Sequence, residues 1–288
     1  MPELPEVETV GRLIRPGLVG RKIVGTRVEW LRTLGGLSRA RFTRAVVGAR
    51  IRSVWRRGKY LVFELKRGRE SAGCIVGHLR MTGRMHVEAG GWDPGPHARV
   101  RLDLDNGKAF HFIDVRKFGR LIWSDSPEEV WPALGPEPLS EEFTAEWLLE
   151  NLRSRRRQLK PLLLDQSFLA GLGNIYVDES LFQAGLHPTR LSETVRAPAA
   201  LKLHTAIQRT LNEAIEREGS SFDTFYRTPE GQPGSYQHQF LVYGRQGKPC
   251  RICEMSISRI VVGQRGTHFC GRCQPKPRKR SRKAILRP

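Results

Sequence analysis

Apolar and polar residues alternate along the first half of the chain with two different periods. Val7, Val10, Leu13 and Ile14 recur at helical spacing, which predicts an N-terminal helix. Short runs rich in β-branched and aromatic residues follow: Lys22 to Trp30, Arg50 to Leu65, Cys74 to Val87 and Val100 to Leu104. The last alternates strictly and leads into Asn106-Gly107, a two-residue hairpin signal. Past Leu134-Gly135-Pro136-Glu137-Pro138, which reads as a linker, the period becomes helical. Ser140 is placed to cap a helix carrying Phe143, Trp147 and Leu148, and Leu201, His204, Gln208, Leu211 and Ile215 mark one face of a later helix. Between them, residues 159–188 read as two short helical pieces joined through Ala170-Gly171-Leu172-Gly173-Asn174. A helix that starts after such a turn points free backbone N–H groups at an anion. Gly171-x-Gly173 has neither the third glycine nor the preceding strand of a dinucleotide fingerprint. Residues 220–239, rich in Ser, Gly, Pro and Thr, read as a mobile loop. The pattern is that of an α+β protein: an N-terminal helix with an antiparallel β-sandwich, then a helical domain.

At 288 residues the chain has room for two cores. No apolar run reaches the roughly 18 residues of a spanning helix, and acidic Glu3, Glu6 and Glu8 stand where a signal peptide carries basic residues, so a soluble intracellular protein is expected. Lys and Arg number 49 against 29 Asp and Glu, a net charge of +20. Such an excess attracts polyanions, and nucleic acid is the commonest of them inside cells. The charge is uneven: from Leu241 onward 13 basic residues face one acid, Glu254.

Four of the five cysteines form Cys250-x2-Cys253 and Cys270-x2-Cys273, sixteen residues apart. That is the spacing of a four-thiolate zinc site with a hairpin between its knuckles; two disulfides or a redox dithiol are the alternatives. Four protein ligands leave zinc no open position, which makes it structural. Cys74, in an apolar run, reads as a buried small hydrophobe.

Met1-Pro2-Glu3-Leu4-Pro5-Glu6-Val7-Glu8-Thr9, Arg57-Gly58-Lys59-Tyr60-Leu61, His78-Leu79-Arg80-Met81-Thr82-Gly83, residues 171–179 and the four-cysteine tail together resemble bacterial formamidopyrimidine-DNA glycosylase, over about residues 1–275. Pro2-Glu3-Leu4-Pro5 is closer to this branch than to its sister, endonuclease VIII. The resemblance implies a catalytic β-sandwich domain over 1–134, a helical helix-two-turn-helix domain with a lesion-capping loop over 135–240, a zinc finger over 241–275 and a basic tail over 276–288. It implies a bifunctional glycosylase and lyase of base excision repair that acts on oxidised purines in duplex DNA, as a monomer in the bacterial cytoplasm. An enzyme preferring oxidised pyrimidines, or a noncatalytic zinc-finger DNA-binding protein, are the rivals.

On that resemblance, Pro2, once Met1 is removed, attacks the sugar as a secondary amine, Glu3 shuttles protons, Glu6 orients, and Lys59 holds phosphate near the reacting nucleotide. Terminal amines titrate near 8, so the nucleophile needs little tuning. By local physics alone Pro2 and Glu3 are read as the start of a helix, and only the resemblance reverses that reading. The base must be flipped out of the stack, and Met81, Arg116 and Phe118 match the positions that fill the hole, although Met81 and Phe118 equally suit a core. Val115 stands where the family usually has proline. Asn174 and Arg265 match backbone-clamping positions; Asn174 also suits a helix cap. His78 and Lys160 match as DNA-binding residues in support roles. The tail from Pro275 to Pro288, with seven basic residues and no acid, lies beyond the resemblance; added DNA affinity, an import signal or a solvated extension all fit it.

Overall fold

The computed structural model describes residues 1–221, 228–229 and 231–276. The tip of the serine- and glycine-rich loop and nearly all of the basic tail therefore lie outside the described residues. Two compact units emerge, interleaved along the chain: Met1–Phe143 with Asp165–Gly173 and Gln208–Gln239, and Thr144–Leu164 with Asn174–Ile207 and the described residues from Phe240 on.

In the first unit, helix α1 (Leu4–Leu18) buries Leu4, Val7, Val10, Ile14 and Leu18. That is the expected stripe, with Leu13 at its edge. Strands β1 (Ile23–Val28), β2 (Arg50–Arg57), β3 (Tyr60–Arg67), β4 (Glu70–His78), β5 (Gly83–Ala89), β6 (Ala98–Leu104), β7 (Lys108–Asp114) and β8 (Arg120–Ser124) form two antiparallel sheets of order β1-β6-β7-β5 and β2-β3-β4-β8. A short helix, α2 (Arg39–Val46), lies between β1 and β2 in the chain. One core of α1, α2 and both sheets, with Phe42, Ile51, Phe63, Ile75, Phe110, Phe112 and Leu121 among its buried residues, makes this a sandwich. The run from Arg50 to Leu65 is two strands broken at Gly58-Lys59, and that from Cys74 to Val87 is two strands broken at residues 79–82. Asn106-Gly107 turns β6 into β7, and Cys74 is buried against Val62 and Val76.

The second unit holds α3 (Ala145–Arg153), α4 (Leu159–Leu164), α5 (Asn174–Gln183) and a hairpin of β9 (Ser258–Val262) with β10 (Arg265–Phe269). Helix α6 (Ala197–Glu216) begins in this unit and ends in the first. Two expectations need correction. The cap of α3 is Thr144, whose hydroxyl accepts from Trp147 N, because the Ser140 hydroxyl is already donated to the Glu137 carbonyl in the preceding turn. The buried face of α6 is Ala200, Leu203, Ala206, Ile207, Thr210, Leu211, Ala214 and Ile215, so Leu211 and Ile215 lie on it as expected while Leu201 is exposed; small Ala and Thr side chains form much of the packed stripe, so the large apolar residues alone misplace its start.

Candidate active site and nucleic-acid interface

Met1 is exposed, but the residues that follow it, Pro2 to Glu6, are buried. Glu3 caps α1, and the Glu6 carboxylate accepts the Glu3 N–H through Oε2 at 2.8 Å and the Ser220 N–H through Oε1 at 2.8 Å. Both carboxylates are almost wholly enclosed, at 3% and 2% exposure. Glu6 thereby joins the start of α1 to the root of the 220–239 loop. Gly171 O accepts from Leu4 N at 3.1 Å, which lays the glycine turn against the same helix end. Gly173 is required there: a Cβ would stand 2.2 Å from Glu3 Cδ.

Lys59 sits in the β2–β3 turn, nearly buried, and its Nζ donates to Leu172 O at 2.7 Å. Gln166 closes the same turn, donating to Leu172 O at 2.9 Å and accepting from Gly171 N at 3.0 Å. Beneath Lys59 lies an ionic knot. Glu137 accepts from Arg56 at 2.7 Å, from Arg57 at 3.1 Å and from Gly58 N, and Arg56 also reaches Glu8 at 2.9 Å. Burial pushes the Glu8 carboxyl up, but hydrogen bonds and charge from Arg56 and Arg12 outweigh it and hold it below its ordinary value. The Pro2, Glu3, Glu6 and Lys59 positions are thus brought to one place by α1, two turns and a loop root.

The positions expected to fill a vacated base stack are exposed. Met81 is 39% and Phe118 49% exposed, and the Arg116 guanidinium lies 5.0 Å over the Phe118 ring. Both apolar side chains therefore stand outside the core, on turns between strands. Both turns contain a non-glycine residue of positive φ, Arg80 at 53° and Lys117 at 62°. Such conformations need support from their surroundings, and Asp114, fully buried, supplies it. It accepts from Thr82 Oγ1, from Arg116 N at 3.2 Å and from Gly119 N at 2.7 Å, so one carboxylate ties both turns together. His78 Nδ1 accepts from Arg80 N at 2.9 Å. Burial, then the charges of Arg80 and Lys59, lowers the His78 pKa to about 3, which keeps the ring neutral.

In the second unit, Asn174 opens α5 and its Nδ2 donates to Gly266 O at 3.0 Å, beside Arg265 on β10. Arg265 is exposed, at the end of a tight turn in which Gly263 and Gln264 both have positive φ. Lys160 is fully buried. Its Nζ pairs with Asp178 at 2.5 Å and donates to Asn174 O at 3.1 Å, while the other Asp178 oxygen accepts His268 N at 2.9 Å. Lys160 therefore braces Asn174 from within. Glu179 accepts three successive amides, Leu241, Val242 and Tyr243, at 2.8 to 3.0 Å, which fastens α5 to the chain entering the cysteine segment.

The sulfurs of Cys250, Cys253, Cys270 and Cys273 lie within 4.8 Å of one another, and all four cysteines are free. Separations of 3.9 Å for Cys250–Cys273 and 3.4 Å for Cys253–Cys270 are far beyond a disulfide's roughly 2.05 Å. A tetrahedron with zinc–sulfur bonds of about 2.3 Å has edges of about 3.8 Å, so the cluster fits one zinc ion with no ligand position left open.

Sequence reasoning did not single out Asp114, Glu137, Gln166, Asp178 or Glu179. Each is a buried or half-buried acid or amide that satisfies backbone groups or a cation, Glu137, Asp178 and Glu179 far along the chain and Gln166 within the next turn, and no local motif marks such a role. A carboxylate in an otherwise apolar stretch, as in Ile113-Asp114-Val115, is the one available signal.

Three family models match in chain order: the formamidopyrimidine-DNA glycosylase N-terminal domain over residues 1–121, the helix-two-turn-helix domain of the same enzyme over 134–226, and the zinc finger found in that enzyme and in isoleucyl-tRNA synthetase over 247–276. A formamidopyrimidine-DNA glycosylase of Chloroflexus aggregans is 44% identical over 95% of this chain and 98% of its own, and one of Symbiobacterium thermophilum is 42% identical over 96% and 90%. Among solved structures, the MutM (Fpg) protein of Thermus thermophilus superposes with a TM-score of 0.84 at 40% identity, covering 96% of this chain and 100% of that one. A Lactococcus lactis Fpg variant in complex with Fapy-dG-containing DNA does so at 0.86 and 36% identity, with the same coverage. Sequence, fold and the four-cysteine centre agree, and the chain belongs to the formamidopyrimidine-DNA glycosylase family.

Proposed function

We propose that this chain is a bifunctional DNA repair glycosylase that removes oxidised purines, 8-oxoguanine and formamidopyrimidines, from duplex DNA and then cleaves the strand. The observation that carries the reading is the pair of enclosed carboxylates at the start of α1, Glu3 against Gly173 and Glu6 between Glu3 N and Ser220 N, next to the residue able to act as nucleophile. With Met1 attached, the Pro2 nitrogen is a tertiary amide and inert; removal of Met1 makes it a secondary amine. Its lone pair forms a bond to C1′ while the glycosidic bond breaks and its electrons leave with the base. Glu3 moves protons at the opening sugar, and the resulting iminium acidifies the neighbouring carbon, so the 3′ and then the 5′ phosphate depart by elimination. Lys59, whose Nζ donates to Leu172 O, holds a phosphate at the reacting nucleotide.

Met81, Arg116 and Phe118 fill the space left by the everted nucleotide, Arg116 donating to the acceptor edge of the orphaned cytosine. Asn174 and Arg265 bind backbone phosphate; Lys160 braces Asn174 through its carbonyl, and His78 supports the turn that carries Met81 by accepting from Arg80 N. The zinc ion holds the β9–β10 hairpin and takes no part in the reaction. Residues 1–134 form the catalytic domain, 135–240 the helical domain and 241–275 the finger, with 276–288 as a basic extension. The enzyme acts as a monomer in the bacterial cytoplasm; no described helix is long and apolar enough to cross a membrane. The test compares single-turnover excision of 8-oxoguanine opposite cytosine with that of thymine glycol. Faster excision of 8-oxoguanine is expected, with loss of both in Pro2→Gly. Preference for thymine glycol would move the enzyme to pyrimidine lesions, and full activity in Pro2→Gly would remove the mechanism.

A further inference from the structure

The end of the β2-β3-β4-β8 sheet away from Lys59 carries three cations in register. Lys22 bridges to Arg50 at the start of β2, and Arg50 lies directly opposite Lys66 on β3. Like charges facing each other across strands repel and destabilise a sheet. With Gly48 and Gly68 they line a cleft of about 330 Å³ that has no acidic wall. Arg50 donates to Gly20 O and makes one loose ion pair, with Asp105 at 3.7 Å on side chains 47% and 29% exposed. Arg67 next to them donates to the carbonyls of Arg44, Ala45 and Val47 at 2.8 to 2.9 Å, which folds the exposed Arg44 at the end of α2 onto the same edge. The cationic edge is thus built, with an arginine spent on holding its parts together.

Its dimensions indicate the partner. The bridge from Lys22 to Arg50 and the ladder pair Arg50–Lys66 make a row about 10 Å long, and one strand of duplex DNA carries a charge about every 3.4 Å along its axis, so the three cations face a stretch of about three phosphate steps. Arg50 and Arg57 are the two ends of β2, and seven residue steps separate them by about 23 Å. Lys59 lies beyond the Arg57 end. We propose that this edge is a second duplex-binding face, which takes the phosphate backbone of another DNA segment while the first occupies the active site, and so passes the enzyme directly between segments. The inference rests on the duplex-DNA reading above.

Full-length enzyme bound to a short, fluorescent, lesion-free duplex is challenged with rising unlabelled lesion-free duplex, and dissociation is followed by stopped flow. Direct transfer makes the dissociation rate rise linearly with challenger. The slope of that line should fall about 40-fold between 50 and 200 mM salt, as release of about three counterions requires. In Lys22→Gln/Lys66→Gln the rate should become independent of challenger, with melting temperature and single-turnover excision of 8-oxoguanine kept. A rate independent of challenger in the wild type, or an unchanged slope in the variant, overturns the proposal. Parallel loss of excision overturns it too, because the edge would then belong to the primary footprint. Wild-type enzyme that transfers but excises no oxidised base leaves this face standing and removes the catalytic reading instead.

Discussion

Gly173→Ala tests how tightly the Glu3 carboxylate is held. An alanine Cβ would stand 2.2 Å from Glu3 Cδ and 2.4 Å from Oε1, whereas carbon atoms at rest stay about 3.5 Å apart, so about 1.3 Å must be found. Glu3 is 3% exposed and capped onto α1, and the glycine turn is fastened by Gln166 and by Leu4 N, so neither side can yield freely. Overpacking of this size costs about 1–3 kcal/mol of stability. A displacement of about 1 Å at a reacting group costs about 10²-fold in rate. The assay is single-turnover excision of 8-oxoguanine beside a thermal melt and a binding titration, with Gly91→Ala as control, since a Cβ there meets nothing within 4 Å. A fall in excision of about two orders of magnitude with binding retained is expected, and Gly91→Ala should match the wild type. Wild-type excision by Gly173→Ala would refute the assignment of Glu3 as a positioned proton carrier.

Lys160→Met leaves Asp178 as a buried charge without its cation and should cost about 3–5 kcal/mol in urea unfolding, with Lys160→Met/Asp178→Asn recovering part of the loss. Equal stability of Lys160→Met and wild type would mean the pair is not the brace described. The folded His78 binds its proton only near pH 3, the unfolded one near 6.5, so the unfolded chain gains protons first and stability falls as pH drops from about 6.5 toward 3. His78→Asn should flatten that dependence in urea melts across this range, and a superimposable pH curve would contradict it. Chelation of the metal should abolish DNA binding by unfolding the finger, while added free zinc should not quicken base excision in intact enzyme; excision accelerated by zinc would give the ion a catalytic part.

Features with a local physical signal were legible in the sequence. The stripe Val7, Val10, Ile14 made α1, Asn106-Gly107 made a hairpin, and the two Cys-x2-Cys pairs made one four-sulfur centre. Where two polar residues competed for one task, sequence was a weaker guide: Ser140 and Thr144 are both good caps, and a turn that consumes the Ser140 hydroxyl decided between them. The supports of the candidate site were not legible. Glu137 lies 79 residues from Gly58 and Asp178 lies 90 from His268, and only the fold brings them into contact. Nor did Arg80 and Lys117 announce their left-handed backbone, which Asp114, Thr82 and His78 stabilise from beneath. Reading the reaction therefore drew on the opening residues, while the reasons those residues stay in place came from buried polar contacts.

The most direct measurement is borohydride reduction of enzyme mixed with 8-oxoguanine duplex, followed by mass spectrometry of the peptides. Reduction should freeze one covalent complex, with the sugar attached to the nitrogen of Pro2 in chains that have lost Met1. An adduct on Lys59, or strand cleavage with no adduct on the N-terminal peptide, would contradict the account.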